Sequence, residues 1–191
     1  NKNLSEETKG LDSKKTSLDF MSLISTSTNL IELIEIIIKY NAFNNLGFTS
    51  NYNLYDGNKG SNLMVIGDFP SRDDLKIGLP FKGSVGNLLD AMLKAIGFNR
   101  NNTFYTNLFY NEVSNVDHLS FYLSILHKQI ELVNPKVIIL LGADVAKIVL
   151  EKDDSIFTMR GEWFTINSNF SKTNFSVIPI FHPRHLMMEP D

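Results

Sequence analysis

Four side chains in this sequence suit chemistry on a flat ligand that develops charge. Asp68 in GDFPS supplies a carboxylate in a sharp turn that follows an apolar run. Asn107 ends YTN, where its amide offers a hydrogen-bond donor and an acceptor to the edge of a base. His182 opens HPRH, and an imidazole at that point would stabilise a developing anion. Phe81 in GLPFKGSVG offers an aromatic face for stacking.

Each of these residues also has an ordinary structural explanation when taken alone. GDFPS reads equally as a tight turn whose Asp68 caps a helix, and Phe81 as a core aromatic. Asn107 would cap a loop, and a lone His182 is more often structural than catalytic. Neither GxGxxG nor GxxxxGK[ST] is present, so a Rossmann-like small-molecule enzyme is disfavoured.

The elements that must position these residues alternate between strands and helices. From Asn62 onward, short apolar runs such as LMVIG, FYTN, KVIILLG and FSVIPIF are separated by amphipathic helical segments. This alternation predicts an α/β fold with a parallel sheet covered by helices. Because ligands bind beyond the carboxyl ends of parallel strands, the candidate residues that follow or end a strand, Asp68, Asn107 and His182, are expected at one edge of the sheet.

Composition and charge exclude several classes of protein. The 191 residues include no cysteine, which rules out a disulfide framework, a thiolate nucleophile and a cysteine-held metal or iron–sulfur site. No apolar run is long enough to span a membrane, and no signal-peptide pattern is present, so we expect an intracellular, cytoplasmic protein. A net charge of −3 argues against tight, stable binding to duplex DNA.

The sequence predicts a leader followed by one domain. Residues 1–28 mix Ser, Thr, Lys and acidic residues with few apolar side chains, which favours a flexible leader. Residues 29–191 are expected to form a single domain, and the natural chain is expected to continue beyond the last residue. A first helix capped by Thr28 or Asn29 is predicted to bury one face, formed by Leu30, Ile34, Ile37 and Ile38.

The order of the motifs resembles one known family. GDFPSRDD, GLPFKGSVGNLLDAMLKAIG, FYTN, IELVNPKVIILLGADVAKIVL, RGEW and FHPRHLMMEP follow one another as in the family 4 branch of the uracil-DNA glycosylase superfamily. The resemblance extends from about Asn62 to Pro190. It implies a three-layer α/β/α sandwich with a central four-stranded parallel sheet. It also implies an enzyme of base excision repair that extrudes uracil from DNA and hydrolyses its N-glycosidic bond, leaving an abasic site.

The same resemblance implies roles for individual residues. Asp68 would position the attacking water or favour the cationic sugar, and His182 would stabilise the departing uracil anion. The base would be bound by Gly67, Phe69, Pro70, Phe81 and Asn107. DNA contacts are expected at Ser71, Pro183, Arg184, His185 and Leu186, with Leu186 as the candidate wedge. We expect a monomer that binds uracil-containing single-stranded or duplex DNA transiently and needs no cofactor and no metal.

The chain departs from the family's pattern in three respects. Family 4 members usually hold an iron–sulfur cluster with four cysteines, and this chain has none. We expect Phe69, Phe109 and Tyr110 to fill that region by apolar contacts. Asp68 stands where the family usually has Glu, and TNLFYNEVSNVDHLS replaces a basic, proline-stiffened loop.

These departures leave an alternative open. A catalytically inactive member of the family would retain the fold and bind DNA, a base or a protein partner. Against this alternative, Phe81, Asn107 and His182 are all present, and a decayed site would be expected to have lost at least one of them.

Overall fold

A computed structural model describes residues 19–44, 52–111 and 118–188 of the chain. The strands are β1 (Tyr55–Gly57), β2 (Leu63–Gly67), β3 (Thr103–Asn107), β4 (Val137–Leu141), β5 (Phe164–Asn167) and β6 (Asn174–Ile180). The helices are α1 (residues 19–25), α2 (Leu30–Asn44), α3 (Arg72–Ile77), α4 (Gly83–Ala95), α5 (Leu119–Val133), α6 (Ala143–Leu150), α7 (Ile156–Met159) and α8 (Pro183–Met188).

The strands form one six-stranded sheet in the order β1-β3-β2-β4-β6-β5. The four central strands β3, β2, β4 and β6 are parallel, which confirms the predicted core of the fold. The edge strands β1 and β5 run antiparallel to their neighbours and were not predicted. They have three and four residues, too few for an alternating pattern to stand out in the sequence.

Side chains on the two faces of the sheet enter different hydrophobic clusters, which gives the three-layer arrangement. Along β2, Leu63 and Val65 pack with Leu89 and Leu93 of α4 on one face. The intervening residues of β2 pack on the opposite face with helices α1, α2, α5 and α6. Because β2 and β4 are covered on both faces, their sequences are almost continuously apolar. Strand β3 is also buried along its whole length but includes the polar residues Thr103, Thr106 and Asn107.

The beginning of the described chain corrects two expectations. Residues 19–25 form a helix in which Phe20 and Ile24 are completely buried, so the predicted leader does not extend to residue 28. Residues 1–18 lie outside the described residues. In α2 the buried stripe is Leu30, Leu33 and Ile37, whereas Ile38 is 61% exposed and was wrongly assigned to the core. Both sets of residues have the spacing of a helical face, so spacing alone could not show which of the two adjacent faces is buried.

Helix ends largely follow the local signals in the sequence. The Asn29 carboxamide accepts hydrogen bonds from the backbone of Ile31 and Glu32, and so caps α2 as expected. Helix α5 ends at Asn134, which has a left-handed conformation just before Pro135. Its expected N-cap, Asp117, lies outside the described residues. Among the helices of the described ranges, none combines the length and apolar character required to cross a lipid bilayer.

Candidate active site

The carboxyl ends of the central strands bring the candidate residues to one edge of the sheet. The last residues of β2 and β3, Gly67 and Asn107, are direct neighbours in the parallel register. Backbone hydrogen bonds of 2.8 Å from Leu108 to the Gly67 carbonyl and from Phe109 to the Asp68 carbonyl continue this pairing beyond the strands. The turn that carries Asp68 is thereby fixed to the segment that follows Asn107.

Gly67, Phe81 and Asn107 form one half of the candidate site. A Cβ atom at Gly67 would lie 2.6 Å from both Asn107 Oδ1 and Phe81 Cζ, so only glycine fits there. Phe81 and Asn107 are almost completely buried, at 3% and 1% exposure. Within the described residues, Asn107 Oδ1 is a buried acceptor without a hydrogen-bond partner. A buried acceptor left unpaired is costly, so this oxygen is a natural contact for a ligand with an N–H group.

Tyr52 is a neighbour of this half that sequence reasoning missed. Asn107 Nδ2 donates a hydrogen bond of 3.0 Å to the Tyr52 hydroxyl, which leaves Oδ1 as the unpaired end of the amide. Burial raises the pKa of Tyr52 well above its usual range, so this hydroxyl stays neutral. Tyr52 precedes β1 in a segment with no recognisable motif, and the sequence offered no signal for its role.

A network of charged groups holds the loop that carries Phe81. Phe81 has a positive φ of 56°, a conformation that residues with a side chain seldom adopt. The Arg100 guanidinium donates a hydrogen bond of 2.5 Å to the Phe81 carbonyl and also pairs with Asp56 and Asp90. Gly86 is required beside the loop, because a Cβ there would lie 1.9 Å from the Phe81 carbonyl oxygen. The aromatic ring is therefore held by its backbone as well as by its packing.

Asp68 and His182 form the other half of the candidate site. His182 Nε2 lies 3.7 Å from Asp68 Oδ1, and Arg184 Nη1 lies 3.7 Å from Oδ2. The Phe69 backbone N–H donates a hydrogen bond of 2.8 Å to Asp68 Oδ1. Burial raises the pKa of the Asp68 carboxyl, and this amide and the Arg184 charge only partly oppose the rise. The side chains of His182 and Arg184 thus lie near the carboxylate but beyond direct hydrogen-bond distance.

The His182 imidazole is neutral in the folded protein. Burial, with a smaller contribution from the nearby Arg184 charge, lowers the pKa of His182 to about 4. The Arg184 backbone N–H donates to His182 Nδ1 at 3.0 Å, so Nδ1 is the acceptor and the ring hydrogen is assigned to Nε2. Gly142, after β4, lies against this side chain, since a Cβ at Gly142 would be 3.2 Å from the His182 Cβ. The donor Nε2–H is thereby directed toward Asp68.

The remaining predicted residues surround these two halves. Phe69 is half-buried, with the Arg184 guanidinium 5.1 Å from the centre of its ring, and Pro70 is buried in the turn. Ser71 caps α3, because its hydroxyl accepts from Asp74 N while Asp74 accepts from Ser71 N.

Three further predicted residues lie on α8, which follows His182 directly. Pro183 is buried at its first position, and His185 packs with its ring 5.2 Å from that of Phe181. Leu186 is only partly exposed, whereas Met188 is the most exposed large apolar side chain of the described residues. A wedge role for Leu186 stays a prediction.

Comparison with known proteins agrees with this geometry. Residues 54–191 match the model of the uracil DNA glycosylase superfamily. The chain belongs to this superfamily. A relative named type-4 uracil-DNA glycosylase from Archaeoglobus fulgidus is 30% identical over 146 residues, which cover 70% of this chain and 71% of the relative. Proteins of the same name from Sulfurisphaera tokodaii and Thermotoga maritima are 28% and 29% identical, with 66% and 69% of their lengths covered.

This member of the uracil DNA glycosylase superfamily does not have the residues for an iron–sulfur cluster. It contains no cysteine, and no group of three or more metal-ligating side chains occurs in the described ranges. Phe109 and Tyr110 are buried as expected and pack against Tyr122, with ring centroids 5.3 Å and 6.0 Å away. Phe69 is half-buried; it packs against the same hydrophobic cluster and also lies beside Arg184. Aromatic packing therefore stabilises the region that follows β3.

Proposed function

We propose that this protein is a uracil-DNA glycosylase, which hydrolyses the bond between uracil and deoxyribose in DNA and leaves an abasic site. Membership of the superfamily and the names of the relatives support the reaction class. The observation that carries the proposal is the unpaired, buried Oδ1 of Asn107 beside the Phe81 ring. Asn107 lies opposite Gly67, the residue before Asp68.

Base recognition follows from the orientation of the Asn107 amide. Oδ1 would accept the N3–H of uracil, and the second hydrogen of Nδ2 would reach its O4 oxygen. Cytosine has an unprotonated N3, so it would place an acceptor against Oδ1 and be rejected. Gly67 allows Asn107 Oδ1 and the Phe81 ring to lie close against the backbone of the turn, and Phe81 would stack on the face of the base.

The chemical step would use the other half of the site. As the bond between C1′ and N1 breaks, its electron pair leaves with uracil and the sugar becomes cationic. The neutral His182 would donate from Nε2 to the uracil oxygen that gains negative charge. Asp68 would stabilise the cationic sugar and orient the water that adds to C1′. The water loses a proton as it adds to C1′, and the uracil anion takes up one proton. The products are neutral free uracil and an abasic deoxyribose.

Contacts with the rest of the substrate belong to the same proposal. Ser71, Pro183, Arg184, His185 and Leu186 would contact the DNA around the extruded nucleotide, and the enzyme would act as a monomer on single-stranded or duplex DNA. The catalytic unit would be the domain formed by residues 29–191, together with helix α1, which packs into its core.

The test is release of uracil from end-labelled oligonucleotides, single-stranded and duplex, each with one uracil, followed by alkaline cleavage at abasic sites. Matched oligonucleotides with thymine or cytosine at that position are the controls. The proposal expects cleavage of the uracil substrates alone, and Asn107→Asp should reduce it by disturbing the match of donor and acceptor. Absence of cleavage from every uracil substrate would overturn the proposal.

One observation favours a second candidate, a non-catalytic member of the superfamily. Asp68 stands where the family usually has Glu, and its shorter carboxylate is shared by His182 and Arg184 at 3.7 Å. Displacement of a catalytic group by about an ångström can cost about a hundredfold in rate. Asp68→Glu separates the two candidates: an inactive protein that this change does not rescue is the non-catalytic member.

A further inference from the structure

A cavity of about 310 Å³ adjoins the Asp68 and His182 pair, and Phe81 is not among its lining residues. Beyond these two residues, its lining includes Gly142 and Ala143, which follow β4, and the aromatic rings of Phe157 and Phe181. Its volume is at the lower end of the range for sites that bind small ligands or single nucleotides. The cavity therefore extends the candidate active site in one direction.

Phe157 is the most unusual residue of this cavity. It lies on the short helix α7, and 67% of its surface is exposed. Its ring is nevertheless oriented, because it packs edge to face on Phe181 with centroids 5.2 Å apart and an interplanar angle of 73°. Two aromatic rings held in this way present a flat face at the rim of the cavity.

Positive charge accompanies these rings. The Arg160 guanidinium lies 4.7 Å from the centre of the Phe181 ring, and the His185 ring lies 5.2 Å from it. Arg184 lines the same cavity, and the acidic residues of the lining are Asp68 and Asp144. Aromatic faces interleaved with arginines are typical of surfaces that bind single-stranded nucleic acid, since bases stack while the cations attract phosphates.

We propose that this cavity is a subsite for the nucleotide next to the uracil in single-stranded DNA, with the neighbouring base stacked on Phe157. The inference rests on the proposed function, because the uracil itself must occupy the half-site of Phe81 and Asn107. A neighbouring base is free to leave its stack in a single strand, whereas in a duplex it is paired and stacked. The net charge of −3 makes such a local contact more important, since the whole protein attracts DNA weakly.

Binding to modified oligonucleotides tests the subsite directly. Fluorescence anisotropy is measured with a short single strand that carries one 2′-fluoro-deoxyuridine, whose glycosidic bond resists hydrolysis. Two further strands lack the base on the 5′ or the 3′ side of that residue. For the wild type, removal of one of these neighbouring bases should weaken binding about tenfold, as expected for loss of one stacked base.

Phe157→Ala should weaken binding to the complete strand about tenfold and should make binding insensitive to that neighbouring base, since both changes remove the same contact. Phe157→Tyr should restore the wild-type pattern. Ile38→Ala is the matched control, because Ile38 is similarly exposed but lies on α2 outside the cavity lining. On the corresponding duplex, Phe157→Ala should change affinity less than twofold.

Two outcomes would overturn the subsite. In the first, the wild type and Phe157→Ala lose equal affinity when either neighbouring base is missing. In the second, Phe157→Ala loses as much affinity for duplex DNA as for single-stranded DNA. The same measurements on a strand with thymine in place of uracil separate this inference from the proposed function. If the protein releases no uracil but shows Phe157-dependent binding of a neighbouring base, the subsite stands and the glycosylase proposal fails.

Discussion

The two halves of the candidate site meet at Gly67 and Asp68 but are built differently. In the half of Phe81 and Asn107, the fixed groups are joined by hydrogen bonds of 2.5 to 3.0 Å and the side chains are nearly inaccessible. In the half of Asp68 and His182, the contacts between side chains are 3.7 Å long and a cavity adjoins them. Under the proposed function, the half of Phe81 and Asn107 is the recognition half, whose groups are fixed before a base binds. The half of Asp68 and His182 is the chemical half, which has space for substrate and water.

The pKa shifts of the charged groups also differ between the two halves. Around Phe81, the paired Lys82 and Arg100 lower the pKa of Asp56, so both signs of charge are retained. Around Asp68, burial raises the pKa of the carboxyl and lowers the pKa of His182. The recognition half is therefore held by ion pairs, whereas the chemical half keeps a neutral imidazole ready to donate a hydrogen bond.

The largest expected effect is in the chemical half. His182→Ala removes a positioned donor to the leaving uracil, so the single-turnover rate of uracil release should fall about 10²- to 10³-fold while affinity for uracil-containing DNA is largely retained. His118→Ala is the control, since the described ring contact of His118 is with Phe121. A His182→Ala variant as fast as the wild type would show that the imidazole takes no part in the chemistry.

In the recognition half, the expected effect of a substitution comes mainly from displacement of the loop that carries Phe81. Arg100→Ala removes the hydrogen bond to the Phe81 carbonyl, and the freed loop should lower kcat/KM for uracil release about 10- to 100-fold, as expected for a displacement of about an ångström. Lys82→Ala is the matched control, because the Lys82 side chain pairs with Asp56, whereas the hydrogen bond to the Phe81 carbonyl comes from Arg100. The two variants are compared by their kcat/KM from steady-state kinetics, and urea unfolding verifies that both are folded. Equal losses in the two variants would assign the effect to Asp56 instead.

The sequence was informative where strand ends carry the function. Asn107 and His182 each follow or end a strand with a clear apolar pattern, and parallel strands necessarily bring their carboxyl ends to one edge. Tyr52 and Arg100 escaped prediction because their roles depend on tertiary contacts. Tyr52 reaches Asn107 across 55 residues, and Arg100 reaches Phe81 across 19. Neither contact leaves a periodic pattern or a motif in the sequence.

The opposite pKa shifts of the chemical half predict opposite effects of acid on stability. The pKa of His182 is about 4 in the folded protein and about 6.5 when unfolded. Between these values the unfolded chain binds the extra proton, so His182 destabilises the fold as the pH falls. Asp68 has a raised folded pKa, so the folded state takes up its proton first and gains stability as the pH falls.

Urea unfolding between about pH 7 and pH 4.5 measures both contributions. His182→Asn should lose less stability over this range than the wild type, by on the order of 2 kcal/mol. Asp68→Asn should lose more than the wild type. If the three proteins lost stability in parallel, both pKa shifts would have to be rejected, and with them the neutral imidazole on which the chemical half depends.

The smallest expected effect is that of Tyr52→Phe, which tests whether Tyr52 holds the Asn107 amide in one orientation. Without the Tyr52 hydroxyl, Asn107 Nδ2 loses its partner, and a net hydrogen bond is worth about 1 kcal/mol, or roughly a fivefold change in an equilibrium. The freed amide can turn its Nδ2 toward the base, so affinity for free uracil, measured by inhibition, should fall about fivefold while kcat changes little. Tyr110→Phe is the control, since this buried tyrosine bonds Gln129 instead. Because a purely structural role would affect both variants through stability alone, a selective loss of uracil affinity in Tyr52→Phe would identify Tyr52 as a positioning residue.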